Sequence, residues 1–201
     1  MHRVFISYHH ENDQYYKEKL LEWNNLQPTF IDRSVDTGDI EVGLDDQTIR
    51  QKIRDEYLRD STVTIVLVGT ETGNRKHVDW EIFSSMIDGS VNKKSGVIAI
   101  MLPSTCCTSY FAAHDGEKEQ LYPFQTGWKT LSTEADYQRV YPCLPARLID
   151  NLIKPAALVS VVNWSLIQGD FSKLGWLIEA TFKDRDKCEY DLTRRMSRAN
   201  S

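Results

Sequence analysis

Residues 61–89 read STVTIVLVGTETGNRKHVDWEIFSSMIDG. The first eight, Ser61 to Val68, are almost all β-branched or aliphatic. That run is too short for a buried helix, and its continuity fits a strand covered on both faces, as in a parallel sheet. Gly69, Thr70, Thr72, Gly73 and Asn74 form a turn cluster. From His77 the period changes: Val78, Ile82 and Met86 recur every four residues, with Phe83 and Ile87 one step round. This predicts an amphipathic helix closed by Asp88-Gly89, with glycine where a left-handed cap would sit. A buried strand, a turn and a helix in this order constrain the fold to an α/β sheet. In open sheets of that class ligands bind beyond the carboxyl ends of the strands.

Glu81 lies in the first turns of that helix, between Val78 and Ile82 on its apolar flank. The positive end of the helix dipole would favour its charged form, and the strand–loop–helix placement would face it to the crevice. A solvated glutamate that only helps the helix start is the plain alternative.

The rest of the chain repeats the pattern. Residues 3–8 (RVFISY) predict a first strand, followed by the polar loop His9–Asp13, where Asn12 or Asp13 can cap what comes next. Tyr16, Leu20 and Trp23 mark a helix over about 13–25. A short strand follows at 29–31, with Asp32, Arg33 and Ser34 at its carboxyl end. Residues 35–46 form an Asp- and Gly-rich loop without the spacing or closing glutamate of a calcium loop. Ile49, Ile53 and Tyr57 mark a helix over 46–59. Beyond the 61–89 unit come a strand at 96–102, a weakly periodic insertion at about 104–155 with a short helix near 144–153, a strand at 157–164 and a closing helix through Leu174, Leu177, Ile178 and Phe182. The order predicts one doubly wound domain over 1–185, with about five parallel strands and one long insertion before the last. Residues 186–201 are a charged tail that would extend the last helix or fray.

Composition narrows the function classes. The chain has 201 residues and a net charge of −5, which disfavours a broad nucleic-acid face. No window is long and apolar enough to span a bilayer, and the opening residues leave no room for a signal peptide. Cys106, Cys107, Cys143 and Cys188 show no paired metal spacing and no disulfide framework, so the expected setting is a reducing cytoplasm with no structural metal. Phosphate loops of the Walker and Rossmann types, a zinc-protease helix and a serine-hydrolase elbow are missing. Thr70-Glu71-Thr72-Gly73-Asn74 resembles the flavodoxin phosphate loop, whose hydroxyls and amides would wrap a flavin phosphate. Here it follows the third strand rather than the first, and Arg75 replaces its closing threonine. His9-His10 has no visible third metal ligand and reads as loop histidines.

Residues 3–8 and the segment Arg75-Lys76-His77-Val78-Asp79-Trp80-Glu81 together resemble TIR domains. In TIR domains the first strand runs into F-[IV]-S-[YF], and in the bacterial branch the third-helix motif reads roughly S-K-W-[VI]-x-x-E-[IL]. Val78, Glu81 and Ile82 match, His77 stands where the family usually has Trp, and Arg75 where it often has Ser. The likeness is greatest to the TIR-like component of the Thoeris antiphage defence system and covers about residues 1–100. It implies a flavodoxin-like TIR fold and an enzyme that cleaves NAD between nicotinamide and ribose. The product would be a cyclic ADP-ribose-type second messenger that activates a partner effector, after self-assembly or a phage-derived trigger. NAD would be substrate, with no further cofactor.

The catalytic residue carried over is Glu81. Phe5, Ser7 and Tyr8 at the exit of the first strand, Arg33 and Asp36 after the second, and His77 one turn before Glu81 would flank the same crevice and bind substrate. For Phe5 the core is the commoner fate of such a residue. Two other readings compete: a non-catalytic TIR-like docking module, and a flavin-binding electron carrier.

Overall fold

A computed structural model of the chain describes residues 1–34, 48, 53, 58–89 and 93–200. The acidic loop at 35–46, Asp36 with it, and most of the helix expected at 46–59 lie outside the described residues. The apolar runs form β1 (His2–Ser7), β2 (Phe30–Asp32), β3 (Val63–Val68), β4 (Gly96–Met101) and β5 (Ser160–Asn163). All pair in parallel, in the order β2-β1-β3-β4-β5. Among the described residues the α-helices are α1 (His10–Leu26), α2 (Lys76–Met86), α3 (Glu117–Leu121), α4 (Glu134–Val140), α5 (Ala146–Ile153), α6 (Trp164–Gly169) and α7 (Ser172–Asp184). This is the doubly wound α/β sheet that the sequence predicts.

Every residue of β3 and β4 is buried, which is why these runs show no polar alternation. Val4, Ile6, Ile65, Leu67, Ile98 and Ile100 pack on one face with Leu20 of α1 and Leu174 and Ile178 of α7. Val66, Val68, Ala99 and Met101 pack on the other with Val78, Ile82 and Met86 of α2 and Leu148 and Leu152 of α5. Phe5, Ile53, Leu58, Trp80, Phe83 and Met196 form a third cluster. From β1 the chain winds outward to β2, and from β3 the other way to β4. The strand order therefore reverses between β1 and β3, the place beyond whose carboxyl ends open sheets of this class bind their ligands.

Several expectations need correcting. Helix α1 starts at His10, three residues early, with no side-chain cap; the His9 carbonyl accepts from the Asp13 N–H at 2.8 Å. Asn12 and Asp13 therefore do not cap it, and Asp13 is buried instead. Helix α2 is not amphipathic, because every residue from Val78 to Met86 is buried. It also stops at Met86, with Ile87 already extended, so Gly89 does not occupy the cap position. Strand β5 starts late because Pro155–Ala157 forms a 3-10 turn and Leu158 takes a left-handed φ of 51°. The insertion holds α3, α4 and α5 rather than α5 alone. Residues 190–200 neither extend α7 nor fray: they run back across α5 and α2, bonded through their backbone.

Candidate active site

Side chains alternate along a strand, so β1 sends Phe5 and Ser7 toward α2 and Ile6 to the opposite layer. Ser7 is the last residue of β1, and Glu81 is on α2. The Ser7 hydroxyl donates to Glu81 Oε2 at 2.5 Å. Ser7 is fully buried and Glu81 only 5% exposed. Burial pushes the Glu81 carboxyl up to about 7, against the opposing pull of the Ser7 hydrogen bond. The charged form expected from the helix dipole is thus disfavoured by desolvation. Ser85 Oγ donates to the Glu81 carbonyl at 2.8 Å and pairs with Thr64 Oγ1 of β3 at 2.7 Å. These bonds pin the Glu81 turn of α2 to the sheet.

The first turn of α2 is fixed from outside. Asp79 accepts from Arg147 Nε at 2.8 Å and Nη2 at 3.2 Å, and from the Ser197 N–H at 2.8 Å. Arg147, on α5, is fully buried and lies 4.4 Å over the Phe83 ring. Trp80 Nε1 donates to the Ser197 carbonyl at 2.7 Å, and the Lys76 N–H donates to Asn200 Oδ1 at 3.0 Å.

A second buried carboxyl lies near the reversal of strand order. Asp13, 3% exposed, lies under the turn after β3. Thr72 Oγ1 accepts from the Gly69 N–H at 2.8 Å and donates to Asp13 Oδ2 at 3.3 Å. Burial raises the Asp13 pKa, and the Thr72 bond opposes the rise. A Cβ on Gly69 would stand 2.5 Å from Asp13 Oδ2, so only glycine fits. The Cys143 carbonyl lies 3.1 Å from where a Gly73 Cβ would be. In the flavodoxin-like turn the Thr72 hydroxyl is engaged by the Gly69 N–H and Asp13.

The other predicted site residues are placed as follows. Phe5 is 1% exposed in the third cluster, two residues below Ser7. Tyr8 packs in the opposite layer, its hydroxyl donating to Gln14 at 2.6 Å and its ring stacked on His10 at 4.3 Å, so it is not brought to Glu81. Arg33 has an exposed side chain, and its N–H continues the sheet ladder to the Val4 carbonyl at 2.8 Å. Asp36 lies outside the described residues. His77 is half-buried and packs edge-on against Trp80 at 5.1 Å. Neither Asp13, read only as a cap, nor Asp79 was singled out as a buried acid near the site, yet each carried a signal. Asp13 is in phase with Tyr16 and Leu20, and Asp79 with Phe83, which marks an acid on an apolar stripe.

Among the described residues no group of three His, Cys, Asp or Glu side chains is placed to hold a metal ion. No described helix is long and apolar enough to cross a membrane. The four cysteines are free thiols. What the arrangement offers chemically is one carboxyl titrating near neutrality, oriented by a hydroxyl, at the reversal of strand order. No curated protein matches the chain. The sequence pattern of one known family, described as Thoeris protein ThsB, TIR-like domain, matches residues 5–106, from the middle of β1 past β4 and including both Ser7 and Glu81. Since that match covers half of the chain and ends where the insertion begins, the protein belongs to the ThsB TIR-like family of the Thoeris system.

Proposed function

We propose that the protein is a TIR-type enzyme that breaks the bond between nicotinamide and ribose in NAD, with Glu81 as the catalytic carboxylate. The observation that carries this reading is the Ser7–Glu81 pair, a buried carboxyl aligned by a hydroxyl at the tip of the first strand. In the reaction the C–N bond breaks, its electron pair leaves with nicotinamide, and the ribose carbon gains oxocarbenium character. Nicotinamide departs neutral, so no acid is needed to protonate it. A fixed anion beside the ribose stabilises that cation more than the ground state, which is the form transition-state selectivity takes. The cation is then captured by water, or by a nucleophile within ADP-ribose itself, with loss of one proton. The second outcome closes a ring and gives a cyclic nucleotide signal for an effector. Exclusion of water decides between them.

The charged form of Glu81 is the working one, and burial opposes it. With its pKa raised to about 7, kcat/KM rises with pH through that value, since this parameter reports the free enzyme. Nicotinamide release and cyclic product are followed by mass spectrometry of wild type and Glu81→Gln, purified and in cells with and without phage. Loss of both products in the variant, with the fold intact, is the expected result. Wild-type turnover by Glu81→Gln would remove the assignment. The 5% exposure of Glu81 is the observation that favours a second reading, a docking module without NAD chemistry. That reading predicts no NAD consumption in any condition and loss of partner binding on surface mutation.

A further inference from the structure

We infer that residues 190–200, with the buried Arg147 that holds them, are positioning elements for Glu81: α2 presents its carboxyl to Ser7 only while this strap is seated. The inference rests on the reading above, in which Glu81 is the reacting carboxylate. A helix starts with four N–H groups that lack intrahelical partners, and α2 has no side-chain cap from Arg75, its own N-cap residue. The strap supplies one instead, since Asn200 Oδ1 accepts from the Lys76 N–H at 3.0 Å. The next contacts fall on the same turn. Ser197 gives its N–H to Asp79 and its carbonyl to Trp80 Nε1. Trp80 immediately precedes Glu81.

The strap also reaches the other half of the pair. Met196, 5% exposed, fills the cluster that holds both Phe5 of β1 and Trp80 of α2. Phe5 is two residues below Ser7. One side chain of the strap thus belongs to the cluster that spans both elements whose spacing sets the Ser7–Glu81 hydrogen bond. The far end of the strap is anchored on α5. Arg147 donates to the Arg194 and Arg195 carbonyls at 2.9 and 3.2 Å. Asn151 exchanges hydrogen bonds with the Asp191 backbone at 3.2 and 2.8 Å, and Arg194 pairs with Asp150 at 2.5 and 2.8 Å. The strap is therefore not a surface appendage. Its contacts with α2 converge on the turn before Glu81, where a shift of about 1 Å costs roughly 100-fold in rate.

The test uses the full chain with Met196→Ala, Asn200→Ala and the volume-conserving Met196→Leu. Nicotinamide release is measured for kcat and KM, and hydrogen–deuterium exchange is followed over 76–86. For the two alanine variants kcat falls roughly 10- to 100-fold while KM changes little, the pattern of an interaction made only in the transition state. Met196→Leu keeps most of the activity because the cluster stays filled. Exchange over 76–86 quickens in the alanine variants and not over β3 and β4. Wild-type kcat in both alanine variants would overturn the inference, as would an equal loss in Met196→Leu. If the wild type releases no nicotinamide at all, the proposed reaction has failed, and exchange alone decides on positioning: unchanged rates over 76–86 would sink it.

Discussion

Glu81 destabilises the folded chain when it is charged. Its carboxyl is raised from 4.5 to about 7 by burial, so the native state holds a proton that the unfolded chain has already released. Each pKa unit corresponds to about 1.4 kcal/mol, giving a penalty of up to about 3 kcal/mol above pH 7. The sign follows from linkage: the penalty is absent below about 4.5, grows as pH rises between the two values, and is constant above the folded one. Glu81→Gln removes the charge and keeps an oxygen that can accept from Ser7. It should be more stable than wild type at pH 8 by roughly 1–3 kcal/mol and nearly equal to it at pH 4.5, read from denaturant midpoints at both pH values. Equal stability at pH 8 would mean that the carboxyl is solvated. For the proposed catalytic residue, a gain in stability on its removal is the expected trade between stability and activity. The position of Glu81 was legible from a buried strand, a turn and a helix. Its protonation was not, because the burial depends on packing that no local pattern displays. Tyr8 shows the converse, since strict alternation after Phe5 and Ser7 already assigned it to the other face.

At the scale of elements, the strands were readable because a parallel sheet buries both faces and so writes continuous apolar runs. Their ends were not, since Ala157 and Val159 are as apolar as β5 yet lie in or beside a turn. Helix α2 looked amphipathic because Asp79, Glu81, Ser84 and Ser85 are polar, but each of them is buried, and the polar flank faces protein. How α7 meets the sheet was hidden in one glycine. Gly96 opens β4, and a Cβ there would stand 2.7 Å from the Thr181 carbonyl oxygen and collide with its methyl group. Backbone cannot swing aside as a long side chain can, so Gly96→Ala must lift α7 from the sheet. Overpacking of this kind costs about 1–3 kcal/mol. Calorimetry of Gly96→Ala should show that loss, and an unchanged melting temperature would mean that α7 slides freely on β4.

The whole molecule is closed by one buried ion pair that joins three remote segments. Asp79 belongs to the strand–turn–helix unit, Arg147 to the insertion, and the Arg194, Arg195 and Ser197 backbone groups that bond them to the strap. Within the insertion the sequence showed only the helix that became α5, for a physical reason: α3 and α4 are five and seven residues long, too short to establish a period. The strap has no period at all, being held by backbone groups and by one buried apolar side chain, Met196. Such closure should make unfolding of α2, α5 and the strap a single event. Arg147 is fully buried and the Asp79 side chain is 12% exposed, so removing one partner leaves an uncompensated charge and costs about 3–5 kcal/mol. Removing both leaves neither charge. In a double-mutant cycle of Asp79→Asn and Arg147→Met, each single variant should lose about that much, while the double variant should lose clearly less than the sum, by roughly 1–3 kcal/mol. Additive losses would show that the two groups act independently, and that the strap and the insertion are joined to α2 by packing alone.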